Sequence, residues 1–255
     1  MRIVIKRAPD GKITLQEGAG IAVVTISRPE ARNALTTAMW KELGRTVEEI
    51  QGNPKNKVVV VRGVPGNFTA GSDIKEFAAM STEEADNAFR TMESTIASFE
   101  KLKLPVIGAI DGPVYGAGFI LALTFSLRLG TKHTKMGIPV AKLGIRLGTE
   151  FLGRIDRFLG PHRTKELLLM SEIYGHETAA RLGLLNRIVD REALDKEALE
   201  LAASITKLSK GSVDALFAPE AYGTFRYADE TDFQEGCRAF MEKRAPDFPS
   251  RRRRS

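Results

Sequence analysis

The sequence has few of the residues that build disulfides, metal sites or membrane spans. It contains one cysteine, Cys237, so no disulfide can form within the chain, and a reducing, cytoplasmic compartment is expected. The three histidines are scattered without the spacing of metal ligands, so no metal site is expected. No apolar stretch is long enough for a membrane span, and no apolar segment follows the basic residues near Met1. Neither a membrane interaction nor a signal peptide is therefore expected.

Net charge is also small outside the last residues. The formal charge is +6, but four of these charges belong to Arg251–Arg254, which leaves +2 for the rest of the chain. A terminal arginine run is typical of a solvated tail, with anion binding or a localisation signal as alternatives. Nucleic-acid-binding patterns, the P-loop and the third glycine of a dinucleotide fingerprint are missing. The G-x-S-x-G turn of serine hydrolases is missing as well. The chain is therefore expected to be neither a nucleic-acid-binding protein, nor a nucleotide-binding protein of these types, nor a serine hydrolase.

Alternating strand and helix patterns predict an α/β fold. Thr36 or Thr37 can cap one amphipathic helix, and Ser81 or Thr82 can cap a second. Strands separated by helices are typical of a parallel sheet. The expected strands are residues 13–16, 21–27, 58–63, 106–110 and 127–129, and a short one near 188–189.

Beyond about Leu147 the pattern is almost entirely helical, with much apolar surface. Such helices need cover, either from the same chain or from another subunit. We expect three regions: a core over residues 1–195 that carries the site, a C-terminal helical region over residues 196–248, and a disordered basic tail over residues 249–255.

Two glycine-rich turns, each directly after a predicted strand, are the main indication of function. They span residues 66–73 and 112–118. Small residues leave backbone amides uncovered, and the first amides of a helix starting near Gly116 lack intrahelical partners. Two such amides aimed at one oxygen would form an oxyanion hole for a thioester enolate or a tetrahedral acyl intermediate. Glycines chosen only for tight packing are the alternative.

Four segments resemble, in the same order, signatures of the crotonase superfamily, also called the enoyl-CoA hydratase/isomerase family. Residues 67–76 (NFTAGSDIKE) are similar to the family's F-x-A-G-x-D-I/L-x-E, and residues 105–118 (PVIGAIDGPVYGAG) resemble its K-P-V-I-A-A-I/V-x-G-x-x-x-G-G-G. Residues 21–35 are similar to its N-terminal L-x-R-P-x-x-x-N-A-L, and residues 240–248 to its closing F-x-E-K-R-x-P-x-F. The resemblance extends from about residue 12 to residue 248.

This resemblance implies a crotonase-like spiral of ββα units with a helical C-terminal trimerisation region, and hence a homotrimer or hexamer. It also implies an acyl-CoA substrate, with coenzyme A as part of that substrate and no separate cofactor. The implied oxyanion amides are those of Ser72 and Ala117. The family's closing helix lends a Phe and a Lys to the neighbouring subunit's site. The implied substrate contacts are Arg28, Arg32, Ala70, Gly71, Asp73, Ile74, Lys75, Tyr115, Gly116, Val140, Phe240 and Lys243.

The sequence departs from the hydratase pattern at both catalytic carboxylates. The two positions where family hydratases carry glutamates are Ile120 and Val140 here. An apolar side chain cannot transfer a proton or orient a water, so two-carboxylate hydration is not expected. Glu150 lies about two residues from the place where isomerising members carry their single acid/base, and it is the predicted proton carrier. A helix-dipole role is the alternative for this glutamate.

The expected function is therefore that of an isomerase-like acyl-CoA enzyme that stabilises a thioester enolate. Hydrolysis, decarboxylation or carbon–carbon cleavage, with Tyr115 or a water supplying the proton, remains an alternative. A non-catalytic acyl-CoA-binding protein that kept the fold is another.

Overall fold

A computed structural model describes the backbone of residues 2–8, and residues 11–223 and 227–251 in full. Arg252–Arg254, in the predicted tail, lie outside the described residues. The large sheet contains seven strands: β1 (Arg2–Ala8), β2 (Gly11–Gly18), β3 (Ile21–Ser27), β4 (Val58–Gly63), β5 (Val106–Ile110), β7 (Leu127–Gly130) and β10 (Arg187–Ile188). A small sheet contains β6 (Pro113–Tyr115), β8 (Lys135–Gly137) and β9 (Ile173–Gly175).

Ten α-helices accompany these strands in the described part of the chain. They are α1 (Thr37–Gly52), α2 (Ile74–Ala78), α3 (Thr82–Lys101), α4 (Ala117–Leu123), α5 (Thr149–Leu159), α6 (Pro161–Met170), α7 (His176–Arg181), α8 (Leu194–Ile205), α9 (Lys210–Phe217) and α10 (Phe233–Met241). None of these helices combines the length and the apolar character needed to cross a bilayer.

The large sheet begins as an antiparallel meander and continues as a parallel sheet. Strands β1, β2 and β3 pair antiparallel, and β3, β4, β5, β7 and β10 follow in parallel. From β5 onward the chain moves between the large and the small sheet, because β6, β8 and β9 form a sheet of their own. The α/β class is confirmed, and the strands predicted at 21–27, 58–63 and 106–110 have the predicted bounds.

Both faces of the parallel sheet are covered, as the continuous valine run of β4 predicts. Val59 and Val61 lie in the main core with side chains of α1 and α3, whereas Val58 and Val60 face a second cluster. That second cluster includes Leu194, Ala198 and Ala202 of α8.

The helix caps follow the local sequence. The Thr36 side chain accepts a hydrogen bond from the amide of Met39 and caps α1, and Ser81 and Glu84 form a capping box on α3. Both caps match the predicted starts of these helices.

Helices lie at two of the predicted region boundaries. The boundary after residue 195 falls inside α8, which covers the sheet, so the core continues through that helix. The tail expected to be disordered from residue 249 begins with a 3-10 helix, Pro249–Arg251. The Ser250 amide donates to Asp232 Oδ1 at 3.0 Å, and Arg251 Nε donates to the Leu208 carbonyl at 2.7 Å.

The region after residue 147 is mostly helical, as expected, and strand β9 is a short exception within it. This strand is three residues long and pairs antiparallel with β8. A strand this short shows no alternation in the sequence, so its pairing depends on tertiary contacts.

Candidate active site

The two glycine-rich loops lie side by side in the structure. The first leaves β4 and leads into α2, and the second leaves β5 and leads through β6 into α4. Thr69 of the first loop pairs with Val114 of the second in a parallel bridge. The Thr69 amide donates to the Pro113 carbonyl at 3.2 Å, and the Tyr115 amide donates to the Thr69 carbonyl at 3.4 Å. This bridge fixes one loop against the other.

Glycine at two positions permits this close approach. Gly71 has φ 92°, and a Cβ there would lie 2.3 Å from the Tyr115 carbonyl oxygen and 3.5 Å from the Ala117 nitrogen. A Cβ on Gly118 would lie 2.6 Å from Thr69 Cγ2. The chain therefore brings the residue before Ser72 into contact with the segment that ends in Ala117.

The amide of Ser72 is turned away from the N-terminal part of the chain. Leu35 pairs with Ser72 in a parallel bridge: the Leu35 amide donates to the Gly71 carbonyl at 2.7 Å, and the Asp73 amide donates to the Leu35 carbonyl at 2.9 Å. Because the Gly71–Ser72 peptide is trans, its N–H points opposite to its C=O, away from Leu35. No atom of the described residues accepts this N–H.

Ala117 is the first residue of α4, so its amide has no intrahelical acceptor. Gly116 precedes it with φ 54° and ψ −121°, and the Gly116 amide donates to the Gly137 carbonyl at 2.9 Å. This bond attaches the start of α4 to β8. The amides of Ser72 and Ala117 are thus unpaired within the described residues, on two loops in contact.

The positions of the two absent carboxylates are apolar in the structure as well. Ile120 is 2% exposed and lies in the main core. Val140 opens a 3-10 helix, Val140–Leu143, and packs partly buried against the same core. Neither position offers a group that accepts a proton.

Glu150 lies in the first turn of α5 and is exposed, and α5 packs against α4. Within the described residues the carboxylate makes no hydrogen bond to either loop. Tyr115 is half-buried at the end of β6, where its backbone joins the contact between the loops.

Arg28 and Asp73 form an ion pair that joins the N-terminal turn to the first loop. Arg28 Nη1 donates to Asp73 Oδ2 at 2.6 Å and to the Ala34 carbonyl at 3.1 Å. Asp73 Oδ1 accepts the Lys75 amide at 2.9 Å and caps α2. Burial raises the pKa of Asp73, but the Arg28 and Lys75 hydrogen bonds outweigh it, so the pKa lies below its usual 3.8.

This pair predicts an acid-dependent contribution to stability. A carboxylate whose pKa is lowered by folding stabilises the protein above its unfolded value of 3.8, and that stability is lost as the pH falls through the folded value. We expect Asp73→Asn to lower the free energy of unfolding by about 2 kcal/mol at pH 7. Urea unfolding should show this difference shrinking below pH 3.8. A difference that is constant down to pH 2 would contradict the ionic contribution.

The other predicted contacts near the first loop are distributed around it. Arg32 is exposed with φ 51°, and its carbonyl accepts the Ala70 amide at 3.1 Å. Ile74 and Lys75 open α2 and are both exposed. Arg32 and Lys75 are thus accessible cations, whereas Arg28 is mostly buried against Asp73.

Phe240 and Lys243 lie at the end of α10. Phe240 is 86% exposed and lines an apolar groove of about 560 Å³ together with Phe233, Met241 and Phe248. Lys243 follows the helix with φ 52°. Their predicted contact with a substrate in a neighbouring subunit stays a prediction.

Asn33 is a residue that the sequence analysis missed. It is fully buried, and its Nδ2 donates to the carbonyls of Ile26, Asn67 and Phe68 at 3.0, 2.7 and 3.2 Å. Its Oδ1 accepts the Arg28 amide at 2.7 Å. One side chain therefore links β3, the N-terminal turn and the first loop. The only signal was its place in the segment resembling the family's N-A-L motif.

Asp111, at the end of β5, holds the first loop from the other side. Its Oδ2 accepts the Gly66 amide at 2.8 Å and Arg191 Nε at 2.7 Å, and its Oδ1 accepts the Thr131 hydroxyl at 2.6 Å. The carboxylate is used within the fold and is not presented to a ligand.

Comparison with known proteins identifies the family. The family model described as enoyl-CoA hydratase/isomerase matches residues 16–223. A probable enoyl-CoA hydratase of Mycobacterium leprae is 30% identical over 246 residues, covering 91% of this chain and 95% of that protein. The mitochondrial methylglutaconyl-CoA hydratase of Mus musculus is 31% identical over 253 residues, covering 91% and 81%.

A solved structure agrees with these sequence matches. The crystal structure of an enoyl-CoA hydratase/carnithine racemase from Magnetospirillum magneticum superimposes with a TM-score of 0.84 at 31% identity, covering 96% of this chain and 97% of that one. The crotonase-like fold expected from the four sequence signatures is confirmed. The chain belongs to the enoyl-CoA hydratase/isomerase family.

Proposed function

We propose that this protein binds acyl-CoA thioesters and stabilises their enolates between the amides of Ser72 and Ala117. The supporting observation is the contact of Gly71 with the Tyr115–Ala117 segment, which places two unpaired amides on adjoining loops. Hydrogen-bond donors fixed before the reaction stabilise a developing oxyanion without reorganising. The named relatives that are hydratases of acyl-CoA esters support the substrate class.

The proposed reaction is a shift of a carbon–carbon double bond with Glu150 as the single acid/base. The carboxylate removes a proton from one carbon, the thioester oxygen carries the resulting negative charge, and the proton returns to another carbon. Ile120 and Val140 support this choice over hydration, because neither can hold or activate a water. The packing of α5 against α4 supports Glu150, since it associates this carboxylate's helix with the one that begins at Ala117.

Coenzyme A contacts and assembly are part of the same proposal. Arg32 and Lys75 are exposed cations beside the first loop, suited to phosphate groups. Homotrimers, or hexamers made of two trimers, would cover the exposed apolar side chains of the C-terminal helices, including Phe240 at 86% and Leu216 at 77% exposed. Phe240 and Lys243 would then reach the adenine and phosphate ends of a substrate in a neighbouring subunit.

Proton exchange in deuterated water tests the reaction directly. We expect the protein to incorporate deuterium into carbon positions of unsaturated acyl-CoA esters, measured by mass spectrometry. Glu150→Gln should slow this incorporation by about 100-fold or more, because general acid–base catalysis contributes that much. Glu177→Gln is the matched control, since Glu177 is also exposed in the first turn of a helix. Equal rates for both variants would remove Glu150 from the mechanism.

The same incubations distinguish the alternatives. Release of free coenzyme A would indicate hydrolysis, and release of carbon dioxide would indicate decarboxylation. Saturable binding without exchange or product would identify a non-catalytic acyl-CoA-binding protein. Water addition to crotonyl-CoA faster than deuterium exchange would contradict the isomerase-like reaction.

A further inference from the structure

The side chain of Ser72 faces the protein interior. Its Oγ accepts a hydrogen bond from Trp40 Nε1 at 3.2 Å and donates to Met92 Sδ at 3.8 Å. Trp40 is 1% exposed and Met92 is 2% exposed. The residue that carries one of the two unpaired amides is thus attached by its side chain to α1 and α3.

Trp40 itself is firmly held. Its indole fills part of the main core, and its carbonyl accepts the Thr95 hydroxyl at 2.8 Å, which joins α1 to α3. A buried indole N–H needs an acceptor, and the Ser72 hydroxyl supplies it. Moving Ser72 away would therefore leave a buried donor unpaired.

The backbone bonds around Ser72 do not involve its own N–H. The Leu35 bridge holds the Gly71 carbonyl and the Asp73 amide, which flank Ser72. Because the Gly71 carbonyl and the Ser72 N–H belong to one planar peptide group, this bridge sets the side on which the Ser72 N–H lies. The Trp40–Ser72 hydrogen bond adds a third attachment, through Cβ and Oγ, on the residue itself. The side-chain attachment limits movement of Ser72 within the backbone bridge, and so restrains the direction of its N–H.

We propose that Trp40 is a positioning residue for the oxyanion site: its indole N–H holds Ser72 so that the Ser72 amide points at the thioester oxygen. This proposal rests on the proposed function. In this proposal Trp40 does not contact the substrate and acts only through Ser72. Its effect should therefore appear in enolate stabilisation and not in the binding of the coenzyme A portion.

The test uses two ligands that differ in acidity. Acetoacetyl-CoA ionises readily to an enolate with its own ultraviolet absorption band, whereas butyryl-CoA does not ionise. We expect Trp40→Phe and Ser72→Ala each to weaken binding of the acetoacetyl-CoA enolate by about tenfold, as for one oriented hydrogen bond. Butyryl-CoA affinity should fall much less, because its neutral thioester carbonyl accepts a weaker hydrogen bond than an oxyanion. The double variant should lose no more than either single variant, because both remove the same hydrogen bond.

Leu43→Val is the matched control, since Leu43 is fully buried on the same helix and its loss of volume leaves the Trp40–Ser72 hydrogen bond in place. It should keep wild-type enolate binding. Ser72→Ala tests the proposal without changing the large core side chain, in case Trp40→Phe folds poorly. In the wild type, quenching or a shift of the emission of Trp40, the only tryptophan, on adding acetoacetyl-CoA would further support the proposal.

The outcomes separate the two levels of inference. If the wild type binds butyryl-CoA but forms no enolate of acetoacetyl-CoA, the proposed function fails and the positioning role fails with it. If the wild type forms the enolate and both single variants do so equally well, only the positioning role is overturned. Parallel loss of butyryl-CoA binding, or additive losses in the double variant, would also overturn it, since both indicate general structural damage.

Discussion

Gly71→Ala is expected to weaken enolate binding by about 100-fold or more, the loss seen when an oxyanion donor is removed. The new Cβ would lie 2.3 Å from the Tyr115 carbonyl oxygen, a backbone atom that cannot rotate away. The two loops must therefore separate, and with them the amides of Ser72 and Ala117. Acetoacetyl-CoA titration, together with the deuterium-exchange rate, measures the loss.

Gly66→Ala is the matched control for this variant. Gly66 lies in the same loop with φ 84°, but a Cβ there has no heavy atom within 4 Å. Both variants carry the cost of a side chain in the left-handed region, about 1 kcal/mol. Only Gly71→Ala adds the clash. Equal losses in both would mean that backbone strain, and not the close approach of the loops, determines enolate binding.

Asn33→Ala is expected to lower the free energy of unfolding by about 3 kcal/mol or more, because buried acceptors left without a donor are costly. The change removes the donor shared by the Ile26, Asn67 and Phe68 carbonyls. It also places alanine at φ 55°, where asparagine is tolerated better. Urea unfolding at pH 7 measures the loss.

Enolate binding should also fall in this variant, since Asn33 holds the first loop. Asn56→Ala is the comparison: Asn56 is buried and its amide donates to Glu17 Oε1 and the Ile50 carbonyl, at the other end of α1. It should lose stability but keep enolate affinity in the folded protein. If Asn33→Ala also keeps wild-type enolate affinity, Asn33 stabilises the fold but does not position the first loop for ligand binding.

The parts of the fold that depend on neighbouring residues could be predicted from the sequence. The Thr36 cap, the Ser81–Glu84 capping box and the buried valines of β4 all follow from spacing within a few residues. The small sheet could not be predicted, because its three-residue strands have no readable period and exist only through pairing with one another.

The same distinction applies to the site. The two glycine loops were predicted because their glycines are local features of the sequence. The residues that hold those loops were not, because their partners are distant in the chain: Arg28 and Asp73 are 45 residues apart, and Trp40 and Ser72 are 32 apart. Arg28 is an example: it was expected to contact the substrate, and the structure places it mainly against Asp73 of the first loop.

The pairing of β4 with β5 has a consequence for how the protein acquires activity. Both loops leave the ends of these neighbouring strands, with Arg62 opposite Ala109. A slip of one residue would displace one loop along the other by about 3.3 Å, more than a hydrogen bond tolerates. During refolding we therefore expect the proposed enolate binding to appear only once the central strands have reached native alignment. The onset of ligand binding would then report the formation of the sheet.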